Sequence, residues 1–211
     1  MATSGSSQSL LGEYLNLFAA TEIFIFVFME IVTKLENVQR VIFKKAQRND
    51  YLIFILLFGL FSIFGTYVGT QEMSGAITNI RDLAPMVAGL VAGPYVGLAV
   101  GLMGGIHRLF LGGVTAVPCS LATILAGVLA GLVYHVRKGK LIGIIPGMLF
   151  GAAIEVLHGG LAVLMIQPFS RALEILFPSI PEMIIANSLG VGISIIIIHS
   201  VTERERPAAA G

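Results

Sequence analysis

Runs of about twenty apolar residues recur along this chain, and each is long enough to cross the hydrocarbon of a bilayer as a helix. Four are plain, at 15–33, 51–70, 141–166 and 183–200. Charged residues make up 12% of the 211, against about 25% in an ordinary soluble domain. The chain therefore reads as an all-α polytopic membrane protein with no room for a second large domain. The first run is not a signal peptide. Residues 1–14 contain no Lys or Arg, Glu22 and Glu30 interrupt the run, and the basic residues follow it. The single cysteine, Cys119, excludes an internal disulfide and a cysteine-based zinc site.

Between residues 71 and 136 the apolar pattern fits either two long spans or three shorter ones. Charge placement favours three. Lys34, Arg40, Lys44, Lys45 and Arg48 form one basic cluster, Arg137, Lys138 and Lys140 a second, and Arg204 and Arg206 a third. Cytoplasmic loops carry the excess of Lys and Arg, so an even number of spans should separate successive clusters. One span at 51–70 then needs three more before Arg137. Gly93-Pro94, and Gly112-Gly113 with Pro118, supply the turns, giving helices near 76–92, 94–111 and 117–136. The expected architecture is about seven transmembrane helices: one N-terminal helix plus a six-helix bundle with two short helices around Gly93-Pro94. The N-terminus lies outside and the C-terminus in the cytoplasm. Two spans in place of three would put Arg137–Lys140 outside.

Residues 1–50 form an N-terminal helix and basic segment, 51–200 the main domain, and 201–211 a cytoplasmic tail or a linker to an output domain. The segment 34–50, with Val38, Val41, Ile42 and Phe43 among basic residues, reads as an amphipathic helix on anionic lipid or as a signal-transmitting elbow. Residues 167–182 read as a short helix over the outer face, or as a plain connector.

In this topology four helices aim polar groups at one outer level: Asn79, Arg81 and Asp82; His107 and Arg108; Glu155 and His158; Asn187. Charge inside a membrane domain is costly and marks candidate function. Two arginines at one level suit a small anion, above all a carboxylate held by paired hydrogen bonds. The competing reading pairs Arg81 with Asp82 or Glu155 and leaves Arg108 to lipid headgroups. Glu155 and His158 share a helical face, but a di-metal bundle needs a second such motif and further carboxylates; no metal or other cofactor is expected. Cys119 is a small core residue or a pocket thiol. Glu22, in mid-span, has no local partner in the sequence. Gly89/Gly93, Gly97/Gly101/Gly105, Gly127/Gly131 and Gly147/Gly151 have the spacing that lets helix backbones touch. No catalytic motif is present, and nothing points to nucleic acid.

Asn79-x-Arg81, then AGLVAGPYVGL at 88–98, GIHRLFLGGVTAVPC at 105–119, TILAG at 123–127 and PEMIIANSLGV at 181–191 together resemble the five-transmembrane receptor domain of LytS-type sensor histidine kinases. The glycine–proline break is also similar, more distantly, to substrate-binding subunits of energy-coupling-factor transporters. The first resemblance implies a membrane input domain, not itself an enzyme. It would sit in the plasma membrane as a homodimer, bind a pyruvate-like carboxylate outside, and signal to a cytoplasmic kinase or cyclase. It assigns Arg81, Arg108 and Cys119 to the pocket, and the polar residues themselves add Asn79, His107, Glu155 and Asn187 around them. The second implies a transporter subunit instead. One departure stands out. The family often has Gly-x-Ser-Thr after the cysteine, where this chain has Ser120-Leu121-Ala122-Thr123.

Overall fold

The computed structural model describes residues 4–68 and 79–205, and all regular structure among them is helical. Eight helices follow in order: α1 (Ser4–Val32), α2 (Glu36–Ile42), α3 (Arg48–Gly65), α4 (Leu83–Ala92), α5 (Pro94–Phe110), α6 (Ala116–Val136), α7 (Ile144–Met165) and α8 (Phe169–Glu205). Among the described residues, α3, α6, α7 and α8 are long and apolar enough to cross a membrane. The chain is a multi-pass membrane protein. Its exposed surface fits that reading: Ile23, Leu56, Leu60, Leu149 and Leu164 are each more than half exposed, as lipid-facing side chains are.

At the basic face, α2 folds back on α3 through one carboxylate. Asp50 accepts from Asn37 Nδ2 (2.6 Å), Arg40 Nε (3.0 Å) and the Gln47 amide (2.8 Å). The last bond is half of a capping box that starts α3. Val38, Val41 and Ile42 are buried beneath, so the segment is amphipathic, as its sequence suggests. Lys44 then reaches across. Its Nζ donates to the Val91 carbonyl at 2.6 Å and lies 4.3 Å from the centre of the Tyr134 ring. Burial lowers this ammonium to about 8.

Helices α4 and α5 form a hairpin whose turn is one residue. Gly93 takes φ +91° against the Tyr134 ring, a left-handed conformation that a side chain would strain. Pro94 opens α5 at a position where its missing N–H costs nothing. The hairpin lies on α6 backbone to backbone. A Cβ on Gly89 would come within 2.6 Å of the Gly127 carbonyl, and a Cβ on Gly127 would collide with the Gly97 carbonyl. The small-residue spacing is thus a packing device. Elsewhere aromatic rings fill the core, with Phe28 stacked on Phe61 and Phe54 on Phe58.

Two expected elements differ. A helix was expected over 76–92, but α4 begins at Leu83, and residues 79–82 are not helical; residues 69–78 lie outside the described residues. Ten residues reach about 15 Å, half the hydrocarbon thickness. Non-helical backbone at that depth survives only where protein buries it, and Asn79–Asp82 are all buried. The short outer helix expected over 167–182 is the first part of α8, which runs through Pro178 and Pro181. Those prolines leave the Glu174 and Phe177 carbonyls without a helical donor. Both residues are exposed, so water can meet them.

Candidate functional site

The non-helical stretch before α4 carries a polar cluster into the bundle. Asn79 Oδ1 accepts from the Arg81 amide (3.1 Å), Ser62 Oγ donates to the Arg81 carbonyl (3.0 Å), and the Ile80 amide bonds the Gly65 carbonyl (3.2 Å). The first bond shapes the loop, and the other two tie it to α3. They aim the Arg81 side chain inward, where it has no exposed surface.

Thr123 of α6 is the hub. Its Oγ1 accepts from Arg81 Nε at 2.8 Å and lies 2.5 Å from Asp82 Oδ1 and 2.9 Å from the Cys119 carbonyl. The hydroxyl has one hydrogen, so it serves one of these two acceptors at a time. Arg81 Nε is itself 3.7 Å from Asp82 Oδ1. The other Asp82 oxygen meets His158 Nδ1 at 3.0 Å, and the same ring nitrogen is 3.4 Å from Glu155 Oε2. His158 Nε2 points the other way, 3.0 Å from Cys119 Sγ. Thr123 lies thirteen residues before the end of α6, and His158 fourteen after the start of α7. Both are therefore about 20 Å from the basic face.

Several atoms in this cluster are buried yet have no hydrogen-bond partner among the described residues: Arg81 Nη1 and Nη2, both Glu155 oxygens, and Asn187 Oδ1. Leaving a buried polar atom unmatched costs about 1–3 kcal/mol, more when it is charged. Asn187 enters from α8, where its Nδ2 donates to the Asn79 carbonyl (3.2 Å) and the Met183 carbonyl (3.1 Å).

Of the residues singled out from sequence, Asn79, Arg81, Cys119, Glu155 and Asn187 converge here. Arg108 is buried nearby, within electrostatic range of Cys119 and Arg81. However, it donates Nη1 to the Gly112 carbonyl (2.6 Å) and Nη2 to Thr115 Oγ1 (2.7 Å), which closes the turn after α5. His107 lies toward the edge, its Nε2 3.0 Å from Tyr67 Oη. The mid-span carboxylate of Glu22 is buried without a hydrogen-bond partner among the described residues and is not part of this cluster. Sequence reasoning missed Thr123 and Ser62. A threonine four residues after Cys119 on one helical face was the available signal, but it does not reveal partners about forty positions away.

The expectation against metal rested on the lack of a second Glu-x-x-His motif and of further carboxylates beside Glu155 and His158. The fold supplies one: Asp82, Glu155 and His158 offer ligand atoms within 4.8 Å of one another. Arg81 already places a fixed cation against that group.

A profile of the family described as "5TMR of 5TMR-LYT" matches residues 36–201. Sensor protein LytS of Bacillus subtilis (strain 168) is 35% identical over 191 residues, covering 80% of this chain and 32% of that protein. Sensor histidine kinase YpdA of Escherichia coli (strain K12) is 32% identical over 167 residues, 77% of this chain and 28% of its own length. Sensor histidine kinase BtsS of the same organism is 31% identical over 150 residues, 69% and 26%. The chain thus spans about a third or less of the length of these curated relatives. No solved structure matches.

Proposed function

The chain belongs to the LytS-type five-transmembrane receptor family, and on that premise we propose that its buried polar cluster binds a small carboxylate entering from the far side of the membrane. The observation that carries this reading is the Arg81 guanidinium, which has no exposed surface and two terminal nitrogens without acceptors among the described residues. A carboxylate is the planar anion that fits such a fork. The first turn of α4 adds the positive end of a helix beside Arg81, much as broken helices present anion sites in transporters.

Arg81 would grip the ligand, with Arg108 adding positive field and Cys119 lining the pocket. Asn79 and His107 would shape its edge. Glu155 and the idle Asn187 Oδ1 would accept from a donor on the ligand. Ala122 is buried beside Thr123 and offers no hydroxyl, so the ligand is one that forgoes that contact. The signal would leave along α8, because Asn187 bonds the same loop that holds Arg81. Binding shifts an output only through different affinities for two states. The expected output is a cytoplasmic kinase or cyclase, driven from a homodimer.

The test is calorimetry on the purified protein against short carboxylates and their amides. A saturable carboxylate signal is expected, absent for the amide. Arg81→Ala should weaken it by at least about tenfold, since bonds to a charged group are worth roughly 1.5–3 kcal/mol. Equal affinity in Arg81→Ala would remove the site.

A further inference from the structure

A polar cavity lies at the end of the molecule opposite the Arg81 cluster, on the basic face, between the end of α1, helix α2 and the last turns of α8. Its volume is about 110 Å³, and it is lined by Glu30, Thr33, Lys34, Gln39, Ser200 and Arg204, with Ile197 and Val201 as its apolar wall. One water needs about 10–15 Å³, so the space admits a polyatomic group. The donors are matched to an anion. Arg204 has no carboxylate partner among the described residues. Lys34 shares its charge with Glu30 at 3.4 Å. The two cations and one acid leave a net single positive charge. Thr33 Oγ1 already donates to the Met29 carbonyl, which leaves the Ser200 hydroxyl and the Gln39 amide as neutral donors.

We propose that this cavity binds a phosphate ester, its source being the headgroup of an anionic phospholipid of the adjacent leaflet. A phosphodiester carries one negative charge, which matches the net charge of the cavity, and basic pockets between helices at this level suit such headgroups. The surface above the cavity favours the lipid. Ile23, Val27 and Ile31 of α1 are spaced by four and each more than 40% exposed, and Lys34 follows Ile31 by one turn. An acyl chain can lie along that ridge while its phosphate reaches Lys34 and Arg204. The occupant would join α1 and the elbow at α2 to the end of α8. This proposal does not depend on the carboxylate site.

The delipidated 211-residue chain in neutral detergent would be titrated with phosphatidylglycerol, phosphatidylcholine and glycerol 3-phosphate, and adducts counted by native mass spectrometry. The expected result is one saturable phosphatidylglycerol per chain, weakened about tenfold or more in Lys34→Gln/Arg204→Gln, the loss of two charge-assisted contacts. Lys138→Gln, on the same face but outside the cavity, should change it less than about twofold. Ser200→Asp, which places an acid in the cavity, is the second variant and should abolish the adduct. Competition by glycerol 3-phosphate would assign the recognition to the phosphate ester itself, and absence of competition would assign part of it to the acyl chains. Equal retention of phosphatidylcholine, or equal losses in Lys138→Gln and the double variant, would overturn the proposal.

Discussion

Thr123→Val removes a hydroxyl and keeps the shape of the side chain, so it isolates what the hub does. In the native protein Oγ1 accepts from Arg81 Nε at 2.8 Å and lies 2.5 Å from Asp82 Oδ1. Both partners are fully buried. Each bond involves a charged group, worth about 1.5–3 kcal/mol, so removing both costs roughly 3–6 kcal/mol at most. Arg81 and Asp82 are already 3.7 Å apart and can close into a direct pair, recovering part of that. A net loss of about 2–4 kcal/mol is expected, or roughly 4–16 °C in melting temperature for a chain of this size. Cys119, the single thiol, reports unfolding directly when a thiol-reactive dye is present during a thermal melt in detergent. Thr123→Ser keeps the oxygen and should lose less than about 1.5 kcal/mol. A Thr123→Val melting temperature within about 1 °C of wild type would show that the hydroxyl does not bridge the two charges.

Gly127→Ala drives a methyl into the Gly97 carbonyl, whereas a Cβ at Gly160 meets nothing within 4 Å. The first should lose about 3 kcal/mol or more and the second should melt like wild type; equal melts would mean that α5 and α6 can simply separate. Lys44 titrates lower in the folded protein, at about 8, than its ordinary 10.5. Its native pKa is the depressed one, so folding releases a proton, and stability should rise as pH goes from about 8 to 10. Lys44→Met should flatten that rise, and an unchanged pH profile would refute the assignment. Asn187→Ala removes one donor to the Asn79 loop and one idle acceptor. It should lower carboxylate affinity about fivefold, near 1 kcal/mol, by calorimetry, and no change would take α8 out of the site.

Much of the arrangement could be read from the chain itself. Asn79, Arg81, Asp82, Glu155, His158 and Asn187 are isolated polar groups in apolar surroundings, and the expense of burying them forces them together. Glycines four apart signalled close backbone packing, but only the fold shows that they serve the contact of the α4–α5 hairpin with α6. The start of α4 was not legible, since Asn79–Asp82 have no pattern that distinguishes a helix from a buried loop. Nor was the continuity of α8: two prolines three apart normally stop a helix, and only their exposed setting lets the freed carbonyls find water. Arg108 shows a different gap. Sequence located it at the right end of α5, but its commitment to Gly112 and Thr115 depends on how the next turn closes.

Helix α8 is 37 residues long, about 55 Å, far more than a bilayer needs. Asn187 stands near its middle and Arg204 close to its end, seventeen residues or about 26 Å further on. A rod of that stiffness acts as a lever. A tilt of about 5° at the loop contact would swing the far end by about 2 Å, as large as the helix displacements that switch subunit interfaces. Were the proposed ligand to tilt α8 at Asn187, the far end of this helix would carry the change to whatever protein surface lies beside it.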